Sequence, residues 1–156
     1  MIIHLCIIGV AKVKILPITL EAAIEVASNL RPDDRREVEE GHGVDPFTSI
    51  VSKAQEGSCI YFTMPNGRTA GMAGVEEDGL IWMLTTAAIY EYPFAFTRGA
   101  KKFVEKYSHQ KLWNIIDKRN TVHLKLLKFL GFEFSEEILH GPNPVSYTHL
   151  TLPTKA

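Results

Sequence analysis

The sequence predicts a single α/β domain with a mixed, mostly antiparallel twisted sheet flanked by helices. Its 156 residues suit one domain. Apolar residues make up 46% of the chain and charged residues 22%, which is ordinary globular composition and excludes a disordered or collagen-like chain. The third observation is the periodicity, in which helical spacing alternates with short β-rich runs bounded by turn residues.

The first half begins with one strand and two or three helices. Residues 12–17 alternate as a strand that ends at a proline. Residues 20–30 place apolar side chains at helical spacing, with Thr19 as the predicted N-cap. A short charged helix over 33–40 and a helix over 45–55 follow, because each is bounded by capping residues, proline or glycine.

Three strands in series then predict an antiparallel sheet. The β-rich runs cover residues 58–64, 68–75 and 80–86. Tight turns separate them at Pro65-Asn66-Gly67 and at residues 76–79. Because both connections are short, each run is expected to pair with its neighbour.

The second half alternates helix and strand. Helices are predicted over residues 96–108 and 120–130, each followed by a strand, at 112–116 and 132–139. A helix between two strands is typical of a crossover connection. The strand after the first of these helices is therefore expected to run parallel to the strand at 80–86.

Charge is distributed unevenly along the chain. Residues 1–97 carry 7 Lys/Arg against 13 Asp/Glu, whereas residues 98–128 carry 9 against 2, although the whole chain has a net charge of −1. The basic stretch suits an anionic partner such as a phosphate-bearing cofactor; the alternative is a solvated helix face balanced by the acidic half. No stacking aromatics alternate with it, so nucleic acid is not a predicted partner.

Several other classes of protein receive no support. The scattered histidines predict no metal site. Cys6 and Cys59 lack Cys-x-x-Cys spacing, which favours two buried, reduced thiols and a cytoplasmic location. The apolar opening at residues 2–10 is too short to span a membrane and lacks the features of a signal peptide, so no membrane partner is predicted.

The two ends of the chain differ from the rest. Residues 145–154 resemble the in-frame translation of a transposon-type sequencing adaptor, and residues 155–156 continue it. We therefore expect a domain over residues 11–144 that lacks its natural last strand, a non-native tail over 145–156, and no role for Tyr147 or His149. Residues 1–10 are either a further extension or the first strand.

Four stretches carry a resemblance to a known superfamily. The most specific runs from Asp117 to Phe132 and contains Asn120 and a Leu-Gly-Phe end; the others are residues 30–37, 82–86 and 112–114. With the order of elements, they resemble the GNAT acetyltransferase superfamily. More narrowly, they resemble a group of GNAT-like tailed-phage proteins that includes an internal virion, or morphogenesis, protein.

The resemblance implies a site for acetyl-CoA or another acyl-CoA. In such enzymes, backbone amides of the fourth strand hold the pantetheine arm; here they belong to Met83, Leu84, Thr85 and Thr86. The start of the following helix, at residues 93–97, would offer free N–H groups to the diphosphate. Arg98 and Asn120 are the other implied cofactor-binding residues.

Two departures bear on activity. The superfamily's glycine-rich phosphate loop corresponds to residues 89–94, which contain no glycine. Leu127 occupies the position at which many GNAT enzymes carry a tyrosine as general acid, and leucine cannot transfer a proton. Both departures leave the catalytic activity open.

Two functional hypotheses follow. The first is an acyl-CoA-dependent N-acyltransferase acting on a small-molecule or peptide amine, with Glu91 and His123 as the candidate catalytic residues and the acids at 76–78 as alternatives. The second is a catalytically degenerate GNAT-fold protein that associates with phage virion proteins in the host cytoplasm or the virion. A gap between residues 80–86 and 112–116 would support the first; a gap plugged by Tyr90, Tyr92 or Phe94 would support the second.

Overall fold

The computed structural model describes residues 11–142 and 144–155, in the order strand, helices, three strands, helix, strand, helix, two strands. Residues 1–10, with Cys6 and the alternatives proposed for that segment, lie outside the described residues. The strands are β1 (Lys14–Pro17), β2 (Ile60–Thr63), β3 (Thr69–Val75), β4 (Ile81–Thr85), β5 (Leu112–Asp117), β6 (Glu133–His140) and β7 (Val145–Leu152). The helices are α1 (Leu20–Ser28), α2 (Pro32–Arg36), α3 (Pro46–Glu56), α4 (Pro93–Lys106) and α5 (Thr121–Phe129), with a π-helical turn at Glu37–Gly41 and a 3₁₀ turn at Ala87–Glu91.

The strands form two sheets. Strands β1, β2, β3 and β4 pair in that order, and every pair is antiparallel. The second sheet has the order β5-β7-β6 and is also antiparallel. The predicted mixed α/β architecture is confirmed, including the parallel crossover, since Leu80 beside β4 bridges Trp113 of β5 in parallel.

Local sequence explains where the first helices begin. The Thr19 hydroxyl accepts from the Ala22 amide at 3.2 Å, which caps α1 as predicted. Asp45 caps α3 in the same way through the Thr48 amide at 2.9 Å, and Pro46 follows at the first helical position. The predicted charged helix is α2, which continues directly into the π-helical turn.

Helices cover both faces of the first sheet. Helices α1 and α3 pack on one face, against Met72, Trp82 and Leu84. Helices α4 and α5 pack on the other, where Phe96 and Leu126 share a core with Met83. Alternate residues of β4 therefore face opposite helical layers. No helix in the described ranges is long and apolar enough to cross a membrane.

The structure differs from the sequence prediction at the C-terminus, where a last strand is present. Residues 145–152 form β7 between β5 and β6, and its Tyr147 and Leu150 side chains are buried. The physical reason is that this segment alternates apolar and polar residues, so it fills the space between two strands that are not themselves paired. That the segment derives from an adaptor stays a prediction.

Candidate functional site

Strands β4 and β5 meet only at their first residues and form a wedge. The Trp113 amide donates to the Gly79 carbonyl at 3.0 Å, and the Asn114 side-chain amide donates to the Ile81 carbonyl. Gly79 has φ +88°, and a Cβ there would lie 2.1 Å from the Lys111 carbonyl oxygen. A side chain at this position would therefore hold the two strands apart. The vertex of the wedge depends on a glycine.

On the edge of β4 that faces β5, one backbone N–H has no hydrogen-bond partner among the described residues. The Thr86 amide donates to the Ala70 carbonyl, and the alternation of an antiparallel ladder directs the amides of Leu84 and Trp82 to β3 as well. The amides of Met83 and Thr85 then point towards β5. Thr85 is engaged elsewhere, as described below. Met83 is left as the free backbone position on this edge.

A mainly apolar cavity of about 110 Å³ lies between the wedge, α4 and α5. Met83 and Asn114 line it from the strands, and Ala100 and Leu127 line it from the helices. Its polar lining includes Glu37 and His123. Tyr90, Tyr92 and Phe94, whose side chains in the gap would have supported the second hypothesis, do not line it.

Five buried polar residues occupy the wide end of the wedge; we call them the wedge cluster. They are Arg31, Asp34, Thr85, Asn120 and His123, and each is at most 5% exposed. Arg31 Nη1 lies 3.1 Å from Asp34 Oδ2, and Asn120 Nδ2 donates to Asp34 Oδ1 at 3.0 Å. Asp34 Oδ2 also accepts from the Thr85 amide at 3.0 Å. The cluster therefore consists of the Arg31–Asp34 salt bridge and of three neighbours that hydrogen-bond to this pair.

The polypeptide before α2 brings Arg31 and Asp34 to this place. Leu30 bridges Thr86 at the end of β4, and the Arg31 amide donates to the Thr85 carbonyl at 2.9 Å. Pro32 then starts α2, which places Asp34 one turn after Arg31. Both backbone groups of Thr85 are thus occupied by residues 31–34.

His123 is held as a neutral ring within the cluster. Its Nε2 lies 3.1 Å from Arg31 Nη1 and 3.2 Å from Thr85 Oγ1, and its Nδ1 lies 3.4 Å from Asp34 Oδ1. Burial lowers the pKa of His123, and the nearby Asp34 carboxylate only partly opposes that effect. Because both ring nitrogens contact protein groups, His123 positions its neighbours and is poorly placed to exchange a proton with a substrate.

Glu37 lies beside the cluster and faces the cavity. It is the first residue of the π-helical turn, and its Oε1 accepts from the Asp117 amide at 3.1 Å and from Asn120 Nδ2 at 3.3 Å. Burial, and then the charge of Asp34, raise the pKa of Glu37 to about 8, although the hydrogen bond from Asn120 opposes this. Glu37 therefore exchanges a proton near neutral pH.

The structure distributes the predicted cofactor-binding residues unevenly. Met83 lies at the cavity, whereas Thr85 and Asn120 belong to the wedge cluster and have their donors engaged within it. The Leu84 and Thr86 amides face β3. Arg98 is exposed and donates to the Ala11 carbonyl at 3.1 Å. These six positions do not converge on one point.

The two predicted catalytic residues are also separated. His123 is in the cluster, but Glu91 is exposed, pairs with Arg68 and accepts from Asn66 Nδ2 at 2.7 Å. Among the alternatives, Glu76 pairs with Lys53 at 2.6 Å and accepts from Trp82 Nε1. These acids stabilise turns and strands outside the cavity.

The first two residues of α4 are exposed, whereas Ala95 and Phe96 are buried. Pro93 is its first residue, Tyr92 supplies no side-chain cap, and Phe94 is 79% exposed. The preceding 3₁₀ turn replaces a glycine-rich loop. The amides of Phe94 and Ala95 are therefore the free N–H groups in the first turn.

Sequence reasoning missed Arg31, Asp34 and Glu37 as site residues. They all fall in the stretch 30–37, which carried part of the resemblance but was interpreted only as a charged helix. The available signal was an Arg and an Asp three residues apart around a helix-starting proline. Nothing local indicated that this helix docks on the end of β4, about 50 residues later in the chain.

Two further observations limit the chemistry of the site. In the part of the chain that the structure describes, no group of three or more His, Cys, Asp or Glu side chains is arranged to hold a metal ion. Cys59 is buried, and burial raises the pKa of its thiol. Cys59 also packs in the α1 and α3 core, away from the cavity.

The fold is similar to that of solved GNAT-family acetyltransferases. A GNAT-family acetyltransferase from Bacillus anthracis matches with a TM-score of 0.67 and 9% identity over 91% of this chain and 95% of that chain. A GNAT-family acetyltransferase from Streptococcus pneumoniae matches with a TM-score of 0.63 and 10% identity, over 92% of this chain and 100% of that chain. Spermidine N-acetyltransferase from Vibrio cholerae, in complex with CoA and spermine, matches with a TM-score of 0.60 and 10% identity, over 90% of this chain and 95% of that chain.

These similarities show that the chain has the GNAT fold. The sequence matches no protein-family model and no curated protein. Because the sequence identity is so low, the structural matches establish the fold of the chain alone.

Proposed function

We propose that this protein is an acyl-CoA-dependent N-acyltransferase. One observation carries the proposal: β4 and β5 diverge from a common vertex, and the free peptide group of Met83 faces the apolar cavity between them. An unpaired strand edge beside an apolar cleft suits an extended, amide-containing chain, which adds to the sheet edge as a further strand would. The pantetheine arm of CoA is such a chain.

The residues present fit the acyl-pantetheine end of the cofactor. The Met83 peptide group would hydrogen-bond the arm, and Ala100 and Leu127 would contact its apolar parts. The free amides of Phe94 and Ala95 would serve the diphosphate, with no glycine-rich loop to assist them. When bound, acyl-CoA supplies an activated thioester acyl group.

The acceptor is proposed to be an amine. One structural neighbour is a spermidine N-acetyltransferase solved with CoA and spermine. Glu37 lines the cavity, and among the residues that the structure describes no donor contacts its Oε2, so this oxygen can meet an amine. Small polyamines and peptide amines are both consistent with this, and a cytoplasmic location fits either one.

A second candidate function rests on Asp34. Its carboxylate accepts a hydrogen bond from the Thr85 amide, so that amide is not available to an added strand. Leu127 lies at the position where many GNAT enzymes carry a tyrosine as general acid. These features favour a GNAT-fold protein without catalysis, such as an internal virion or morphogenesis protein of a tailed phage. In that case Met83 would bind no cofactor.

Calorimetry with acetyl-CoA separates the two candidates. The 156-residue protein is expected to bind with a Kd of about 1–100 μM, and Ala100→Leu, which fills part of the cavity, is expected to weaken binding about 10-fold or more. The matched control is Ala54→Leu, a half-buried alanine on α3 at the other face of the sheet. Absence of heat from folded protein at about millimolar acetyl-CoA would overturn the enzyme proposal in favour of the structural protein.

A further inference from the structure

We propose that Glu37 is the catalytic base that accepts a proton from the acceptor amine, with Asn120 and the Asp117 amide as its positioning groups. This inference rests on the proposed function and assigns a role that neither the sequence pattern nor the structural neighbours supply. It is carried by the position of Glu37 at the cavity and by the way the neighbouring charges are paired.

The first step concerns how Glu37 is held. Both hydrogen bonds from Asp117 and Asn120 fall on Oε1, and within the described residues no donor contacts Oε2. The side chain is partly exposed and lines the cavity next to His123. One oxygen is therefore fixed while the other remains available to a ligand.

The second step concerns charge. Three acids meet here, and two of them have cationic partners: Asp34 pairs with Arg31 at 3.1 Å, and Asp117 pairs with Arg119 at 2.6 Å. In the described ranges Glu37 forms no ion pair. Burial disfavours the ionised form of Glu37, and the nearby Asp34 carboxyl disfavours it further. Burial is the larger cause of the Glu37 pKa of about 8, and the charge of Asp34 adds to it.

Within residues 11–142 and 144–155, the remaining groups around Glu37 do not supply a cation to it. From β7, the buried Tyr147 hydroxyl lies near Glu37, and burial, followed by the charge of Glu37, raises the pKa of Tyr147. Arg36 Nε lies 3.6 Å from Asp117 Oδ2, and Arg36 Nη2 donates to Asp33 Oδ1 at 2.6 Å, so the Arg36 charge is shared by those two carboxylates. His123 is neutral because it is buried.

The alternatives for the base are less suitable. Both nitrogens of His123 contact the wedge cluster, and Glu91 is bound to Arg68 outside the cavity. Glu40, at the other end of the π-helical turn, pairs with Arg119 at 2.5 Å. Glu37 is the acid in this region that combines a free oxygen, a place at the cavity and no cationic partner.

The proton balance is straightforward. The Glu37 carboxylate takes one proton from the acceptor ammonium, which frees the nitrogen lone pair. The nitrogen then forms a bond to the acyl carbon and loses its second proton to solvent, while the carbon–sulfur bond breaks and sulfur leaves with the electron pair. The thiolate takes a proton from solvent, since Leu127 cannot donate one, and Glu37 releases its proton to solvent after each turnover.

The test compares Glu37→Gln with Glu39→Gln. Glutamine keeps an oxygen that can accept from Asp117 and Asn120, so fold and position are preserved while basicity is lost. Glu39 is an exposed acid on the same turn and is the matched control. Two readouts are taken: a carboxyl ¹³C NMR titration, and the pH profile of acetyl transfer to a panel of spermidine, a lysine peptide and a peptide with a free N-terminus.

The inference predicts a carboxyl that titrates near 8 in the wild type and in Glu39→Gln and is absent from Glu37→Gln. It also predicts a kcat/KM that rises with pH towards 8 and falls about 100-fold or more in Glu37→Gln alone. Transfer that is retained within threefold in Glu37→Gln, with an unchanged pH profile, would overturn the inference and leave the proposed function intact. A wild type that binds no acetyl-CoA and acetylates no amine of the panel would overturn both.

Discussion

Removing the charge of Asp34 should destabilise the protein strongly, because this carboxylate holds the wide end of the wedge together. Asp34 is fully buried, pairs with Arg31, and accepts from Asn120 and from both the amide and hydroxyl of Thr85. In Asp34→Asn the buried Arg31 charge loses its closer carboxylate and keeps only the longer contact with Asp33, at 3.4 Å. Breaking a buried pair in this way costs about 3–5 kcal/mol.

That loss is a large fraction of the stability of a domain of this size, and it corresponds to a drop in Tm on the order of 10 °C. Urea unfolding gives the free energy directly, provided that the m-value is unchanged. The matched control is Asp33→Asn, whose side chain is 29% exposed and whose partners are Arg36 and Arg31. Its expected cost is below about 1 kcal/mol.

A double variant tests the physical reason. Arg31→Met with Asp34→Asn removes both charges, so the double variant should be less destabilised than the sum of the two single changes. The reasoning is refuted if Asp34→Asn unfolds at the same urea concentration as Asp33→Asn. It is also refuted if the stability lost in the double variant equals the sum of the losses in Arg31→Met and Asp34→Asn.

Three other predictions concern the vertex, the last strand and Glu37. Gly79→Ala should cost about 2 kcal/mol more than Gly67→Ala in urea unfolding, because both glycines have positive φ but only at Gly79 does a Cβ meet backbone. Leu150→Ala should cost about 2–5 kcal/mol and Leu139→Ala almost nothing, since Leu150 is fully buried in β7 and Leu139 is 75% exposed; equal losses would show that β7 is not packed. Folding raises the pKa of Glu37 from 4.5 to about 8, so between these pH values the folded protein keeps a proton that the unfolded chain has released. The free energy of unfolding of the wild type should therefore decline as the pH rises through this window. Glu37→Gln should lack this decline and be more stable than the wild type at pH 8 by about 2 kcal/mol, after allowance for partial exposure; parallel stability curves would contradict this.

Much of the fold follows from periodicity and turn chemistry. Thr19 and Asp45 cap the helices that they were expected to cap, and the short turns at 65–67 and 76–79 produce the antiparallel order β2-β3-β4. The parallel relation of β4 and β5 follows because a helix must return the chain to the same end of the sheet. These signals lie close together in the sequence, so periodicity, capping and turn preferences are enough to predict the elements.

The candidate site was less predictable because its contacts are long-range. The amide of Thr85 was expected to serve a cofactor, but Asp34 occupies it, and nothing in the local pattern of either strand or helix specifies that contact. The pKa of Glu37 is set by burial and by Asp34, which only the folded arrangement brings together. Met83 was one of four consecutive positions implied by the resemblance, and only the observed pairing of β4 with β3 separates it from Leu84 and Thr86.

The C-terminal strand shows a related limit. Residues 145–152 have the alternation of a strand, yet the resemblance to an adaptor placed them outside the domain. Pairing with β5 and β6 depends on apolar spacing and available hydrogen-bonding groups, which are independent of where a segment originates. The alternation and pairing of residues 145–152 are therefore sufficient to predict a strand, whatever the origin of the segment.

The most direct test of the account is the amide resonance of Met83 during titration with acetyl-CoA. The account predicts that this amide shifts and that its hydrogen exchange slows on binding, because it gains a hydrogen-bond partner. Leu84, the next residue, already pairs with β3 and should exchange at an unchanged rate. Binding of acetyl-CoA that leaves Met83 unchanged, or no binding at all by folded protein, would contradict the claim that the wedge between β4 and β5 is an acyl-CoA site.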